Sequence, residues 1–160
     1  MTDLQIIVEP GRQDIVMTRT FDAPRDVVYK ALTDPQLIPN WWGPRELTTD
    51  VDCMDVQPGG RWRFVQHDAA GNEYAFRGVY HDAVAPERAV STFEWEGLPG
   101  HVALDTLTLE EIDGKTKYTT VTVFQSVADR DGMVQSDMER GARDSTERLT
   151  EVIAGLLSRA

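Results

Sequence analysis

Cysteine is nearly absent: Cys53 stands alone among 160 residues. A lone thiol excludes an intrachain disulfide and cannot build a thiolate metal site by itself. Histidine is scarce too, with only His67, His81 and His101. No two of them are spaced as metal ligands on one helix face, so no metal and no cofactor are expected. Bases are outnumbered, 16 against 27 acids, for a formal net charge of −11. Such a surface repels phosphate backbones, which argues against nucleic acid as a partner. No apolar run approaches the roughly 20 residues that span a bilayer. The N-terminal segment also lacks the basic start and apolar core of a secretory signal. A cytoplasmic protein without membrane insertion is therefore expected. Nucleotide-binding and nucleophile-elbow motifs are missing as well. Gly59-Gly60 follows Pro58 and precedes a β-like run, so it is read as a turn.

What remains is an ordinary globular composition, with 41% hydrophobic and 27% charged residues. The length suits one domain spanning 1–160. Residues 4–8 and 14–21 are β-branched runs joined by a Pro-Gly turn, which makes 1–13 an N-terminal β extension. Val27, Val28, Ala31 and Leu32 then share a helical face after Pro24. Leu37, Ile38 and Trp41 suggest a second short helix that Gly43-Pro44 ends. From 47 to 125 six β runs follow, separated by short turns, so an antiparallel meander is expected. Asp113-Gly114 between two such runs is the strongest hairpin sign. Over 130–157 the period changes to 3.6, and Val134, Met138, Ala142, Ser145, Leu149, Val152, Ile153 and Leu156 form one stripe. Asp129 or Asp131 is the expected cap. A helix of about 27 residues is about 40 Å long, enough to cross a sheet of seven strands about 30 Å wide. A straight helix laid in a twisted sheet leaves gaps, so a cavity is expected between them.

Period two assigns the strand faces. Trp62 and Phe64 share one, as do Tyr74, Phe76, Gly78 and Tyr80, with Gly78 leaving room in the cavity. Phe93 pairs with Trp95, Leu107 with Leu109, and Tyr118 with Phe124. If these faces are concave, they meet Met138, Ala142, Ser145 and Leu149 of the helix. Trp41 joins them from the short helices, while of Trp41 and Trp42 only one is expected to pack inward. These aromatic and aliphatic residues are the candidate ligand contacts. Asp50, Asp52 and Asp105 alternate with apolar neighbours and are read as solvated. Cys53, in phase with Val51, is read as a small buried hydrophobe. Arg19 shares parity with Met17 and Phe21, so it is expected to point inward and to need an acid.

The element order and several ordered motifs carry a resemblance. Arg19-Thr20-Phe21-Asp22-Ala23-Pro24, Leu32-Thr33-Asp34-Pro35 and Trp41-Trp42-Gly43-Pro44 open it. Asp55, Pro58-Gly59-Gly60, Trp62-Arg63, Glu73-Tyr74, Gly78-x-Tyr80, Pro86-Glu87-Arg88, Gly114-x-Thr116 and Met138-x-x-Gly141 continue it. The chain resembles the START-like (SRPBCC) helix-grip superfamily, in the branch related to the activator of the heat-shock protein 90 ATPase. The resemblance implies an α+β helix-grip fold, a curved antiparallel sheet wrapped around a long C-terminal helix, with two short helices after the first long strand. It also implies a hydrophobic pocket between that helix and the sheet. The superfamily spans lipid carriers, polyketide cyclases and co-chaperones, so the fold does not select a function. The eukaryotic co-chaperone adds an N-terminal domain that this sequence does not show, and ATPase activation is not expected.

The leading expectation is a non-catalytic protein that binds a small hydrophobic or amphipathic molecule. A cyclase or aromatase-like enzyme is the first alternative, with Asp55, Glu73, Tyr74 and Tyr80 as candidate acid/base groups. A chaperone-associated interaction module or homodimer is the second.

Overall fold

The computed structural model describes residues 4–159. Two strands open the chain, β1 (Gln5–Ile7) and β2 (Asp14–Phe21). Helix α1 (Arg25–Thr33) and a 3-10 turn (Ile38–Asn40) follow. Strands β3 (Thr48–Met54), β4 (Arg61–His67), β5 (Glu73–Val84), β6 (Arg88–Trp95), β7 (Val102–Ile112) and β8 (Lys115–Val123) form the meander. Helices α2 (Val127–Gln135) and α3 (Met138–Ser158) close it. All strands join one curved antiparallel sheet in the order β1-β2-β8-β7-β6-β5-β4-β3. The helix-grip α+β architecture is thus the observed one.

Local chemistry accounts for most of these boundaries. Asp113 and Gly114 have φ of 53° and 78°, and Ile112 pairs with Lys115, so a two-residue turn joins β7 to β8. Both central positions need positive φ to match strand twist, which Asp-Gly supplies. Pro24 precedes α1, and its carbonyl accepts from the Val27 and Val28 amides. Pro39 sits inside the second short helix and limits it to a single 3-10 turn.

The C-terminal helix differs from expectation. The stripe over 130–157 is divided into α2 and α3 at Ser136-Asp137, where Asp137 adopts φ 64° and ψ 32°. A left-handed residue cannot continue a right-handed helix, and aspartate tolerates that conformation better than most. The cap also lies elsewhere: the Ser126 hydroxyl accepts from the Asp129 amide at 3.1 Å, so α2 starts at Val127. Asp129 instead bonds His101 at 2.9 Å. Arg130, only 2% exposed, anchors α2 to the first hairpin. Its guanidinium donates to the carbonyls of Asp14 and Glu9 at 3.1 and 2.8 Å and reaches Asp131 at 3.0 Å.

A second departure concerns Cys53, which is exposed. The pairing of β3 with β4 shifts between Val51 and Cys53, as in a β-bulge. One extra residue reverses the alternation, turning Cys53 outward and Met54 inward.

Three apolar clusters hold the helices against the sheet. Phe21, Val28, Leu109, Leu149 and Ile153 join α1 and α3 to β2 and β7. Ile38, Trp62, Phe64 and Tyr80 join the 3-10 turn to β4 and β5. Ile15, Ala103 and Phe124 take Met133, Val134 and Met138 against the far end of the sheet. Among the described residues, no helix is long and apolar enough to cross a membrane.

Candidate functional site

A cavity of about 270 Å³ lies between α3 and the sheet, lined from several elements. Trp62 and Phe64 come from β4, Tyr80 from β5, and Ala89, Ser91 and Phe93 from β6. Asp105 and Leu107 come from β7, Tyr118 and Thr120 from β8, and Met17 from β2. Ala142, Ser145, Thr146 and Leu149 close it from α3. Ile38, Trp41 and Trp42 close it from the 3-10 turn and the loop beyond, with Leu32 and Thr33 from α1 and Met54 from β3.

The Trp41-Trp42-Gly43-Pro44 loop is fixed to both α1 and α3. Trp41 Nε1 donates to the Ala31 carbonyl at 2.9 Å. The Gly43 amide donates to Ser145 Oγ at 2.8 Å. Arg148 donates to the carbonyls of Gly43 and Pro39 at 3.0 and 3.2 Å. Gly43 has φ 94°, and an added Cβ would stand 1.9 Å from Gln66 Nε2, so a larger residue is doubly disfavoured there. Both tryptophans therefore face inward. Only one was expected to do so. Trp42 meets Phe64 and Phe76 edge-on at 5.1 and 5.2 Å between ring centroids, a favoured aromatic geometry.

Asp105 is the only charged residue of the described lining. Its alternation with apolar neighbours and its charge suggest solvent exposure, whereas the structure places it in the chamber wall. Its partners in the sheet are Ser91 on β6 and Thr122 on β8, and Thr122 Oγ1 donates to its carboxylate at 3.0 Å. Burial pushes its pKa up to about 6, with the Thr122 hydrogen bond acting in the opposite direction. Desolvation disfavours the charged form, and one neutral hydroxyl does not compensate it. Burial also raises the phenols of Tyr80 and Tyr118, and the Asp105 charge adds to both shifts. These residues bring ionisable groups into an otherwise uncharged chamber of aromatic, aliphatic and hydroxyl side chains.

Of the residues expected at the site, Trp41, Trp62, Phe64, Tyr80, Phe93, Leu107, Tyr118, Ala142, Ser145 and Leu149 line this cavity. The rest lie elsewhere. Phe76 stands behind the wall, stacked on Phe93 at 5.5 Å. Leu109 is buried in the cluster beneath α1. Phe124 and Met138 belong to the cluster at the far end. Tyr74 reaches the β4–β5 turn, where its hydroxyl donates to Asp68 at 3.1 Å. Trp95, at 41% exposure, borders a separate cleft with Leu98 and Met133. Strand twist carries the ends of a face away from its middle, so shared parity does not ensure a shared chamber.

Gly78 does not open the cavity either. Its Cβ position is occupied by the Trp62 indole and the Thr92 carbonyl, which are hydrogen-bonded to each other at 3.1 Å. Asp55 and Glu73 are exposed. The first accepts from Gln57 at 2.9 Å and the second lies 3.8 Å from His67. Arg19 points inward as expected, but it is held by the Thr146 hydroxyl at 3.1 Å and the Phe21 ring face at 5.5 Å rather than by an acid. No cluster of potential metal ligands occurs among the described residues.

Residues 22–154 match the family model described as activator of Hsp90 ATPase homolog 1-like protein. The chain belongs to this family. Members of the activator of Hsp90 ATPase homolog 1-like family share the helix-grip architecture found here, and solved structures agree. A Rhodobacter sphaeroides protein superposes with a TM-score of 0.88 at 24% identity, covering 96% of this chain and 99% of that one. A Chromobacterium violaceum protein gives 0.79 at 25% identity, covering 88% and 96%. DynU16, a protein of the dynemicin biosynthetic locus, gives 0.66 at 17% identity, with 89% of this chain on 47% of that one. Comparison with curated proteins gives no match.

Proposed function

We propose that this protein binds a small hydrophobic or amphipathic molecule in the chamber between α3 and the sheet. The observation that carries the reading is the chamber itself. Its 270 Å³ lies near the lower end of ligand pockets, and its walls are aromatic and aliphatic with a few hydroxyls and one carboxylate among them. A compact ligand of one or two rings suits that volume better than a long acyl chain. The family and its structural neighbours support a scaffold of this kind without naming its ligand.

Titration of intrinsic tryptophan fluorescence against small aromatic and medium-chain alcohols tests this. Trp41, Trp42 and Trp62 line the chamber, so a saturable change is expected. Ala142→Phe places a ring in the chamber and should weaken binding by more than tenfold. No response to any compound, or equal response in the variant, would overturn the reading.

Asp105 favours a second reading, in which the bound molecule undergoes acid–base chemistry. A carboxyl group with a pKa of about 6 can exchange a proton near neutral pH. Tyr80 and Tyr118, kept neutral by their raised pKa values, would hydrogen-bond a developing negative charge. Asp55 and Glu73, the acids that the sequence offers for this role, lie outside the chamber.

A further inference from the structure

The chamber contains one carboxylate and no cation. Asp105 sits mid-sheet, flanked by Ser91 and Thr122 at the same level, and its only hydrogen bond is from Thr122. A buried carboxylate normally has a charged partner, because one neutral hydroxyl does not replace its hydration. The surrounding elements supply none. On β5 and β8 the titratable groups of the lining are the phenols of Tyr80 and Tyr118, while Tyr29 on α1 stands outside it, its pKa raised by burial and by Asp82. From β6 and α3 come the hydroxyl residues Ser91, Thr92, Ser145 and Thr146, none of them charged. On β2, Arg19 pairs with Tyr118, four residues along β8 from Thr122, or about 13 Å away along the strands. It lies outside the lining, with one guanidinium nitrogen on Thr146, the Phe21 ring beneath it and its Nε buried without a hydrogen-bond partner. The charged side chains of α3 turn away: Arg148 binds the loop carbonyls, Arg143 binds the Leu4 carbonyl, and Asp144 accepts from the Arg45 amide.

The remaining walls are the aromatic rings of Trp41, Trp42, Trp62, Phe64 and Phe93 and aliphatic side chains such as Met17, Leu107 and Leu149. Aromatic faces around a site attract a cation and repel an anion. One carboxylate without a charged partner in an apolar, partly aromatic chamber is the complement of an ammonium group on an apolar ring. We infer that the ligand is a protonated hydrophobic amine, its ammonium group paired with Asp105 and its ring held among the tryptophans. This deepens the proposed binding function and rests on it. The net charge of −11 acts in the same direction, drawing cations towards the protein.

Three ligands of one shape provide the test: 2-naphthylmethylamine, 2-naphthylmethanol and 2-naphthoate, titrated calorimetrically into the intact chain. At pH 7.5 the amine is expected to bind at least tenfold more tightly than the alcohol, and the carboxylate most weakly. At pH 5 the amine stays protonated while Asp105 becomes neutral, so its advantage should fall below threefold. Asp105→Asn should remove the preference at both pH values while still binding the alcohol. Equal or tighter binding of the alcohol or the naphthoate at pH 7.5 would overturn the amine assignment and leave the chamber as a binding site. The same holds if the preference persists in Asp105→Asn. Failure of all three ligands to bind would overturn the assignment and the binding function together.

Discussion

Gly78→Ala is expected to destabilise the protein by about 3 kcal/mol, because overpacking costs about 1–3 kcal/mol and a broken hydrogen bond about 1 more. Gly78 on β5 lies opposite Trp62 on β4. A methyl group there would stand 1.9 Å from the Thr92 carbonyl oxygen, 2.3 Å from Trp62 Nε1 and 2.7 Å from its Cε2. The carbonyl is held within the sheet and cannot retreat. The indole would have to swing away, losing its bond to Thr92 and deforming the chamber wall. Thermal unfolding should show a fall of about 6–12 °C for a chain of this size. An unchanged melting temperature would mean that this corner is packed more loosely than described.

Asp105→Asn is expected to stabilise the ligand-free protein above neutral pH by about 2–3 kcal/mol, since each pKa unit is worth about 1.4 kcal/mol. The folded-state pKa, about 6, is raised from 3.8, so the native state binds the proton more tightly than the unfolded chain. Its contribution to stability is complete below about pH 4 and is lost as pH rises through 6. Asparagine stays neutral at every pH and its amide oxygen can still accept from Thr122. Wild type and variant should therefore unfold at similar urea concentrations at pH 4. They should separate between pH 4 and 6 and stay a constant distance apart above about 7. A variant no more stable at pH 8 than at pH 4, relative to wild type, would show that Asp105 has its charge satisfied in the native state.

Alternation placed Trp62, Phe64, Leu107 and Tyr118 on the concave face, and the helical stripe placed Ala142, Ser145 and Leu149 opposite them. Those periodicities are direct consequences of backbone geometry. The same alternation sets Asp105 in phase with Leu107 and Leu109, so its inward position was legible. Its charge suggests solvent, but phase and not residue type decides which side of the strand it occupies. In the structure Asp105 is half-buried and lines the chamber.

Cys53 was not recoverable in the same way. Its exposure depends on the extra residue between Val51 and Cys53, and nothing in the run Asp50-Val51-Asp52-Cys53 announces a bulge. The break at Ser136-Asp137 was hidden by a different cause: the apolar stripe continues across it, so periodicity alone reads one helix. Gly78 was read as space. In the structure the space it leaves is taken by the indole of its own cross-strand partner. The inward turn of both Trp41 and Trp42 depends on a hydrogen bond to Ala31 and on Phe64 and Phe76, contacts between segments far apart in sequence.

The four indole N–H groups of the chain provide the most direct test that the chamber holds the ligand. Trp41, Trp42 and Trp62 line it, whereas Trp95 is 41% exposed beside a different cleft. In a two-dimensional nitrogen–proton NMR titration with the neutral 2-naphthylmethanol, the indole resonances of Trp41, Trp42 and Trp62 should shift together and saturate, while that of Trp95 stays in place. Shifts confined to Trp95, or no saturable shift at the other three, would contradict the account.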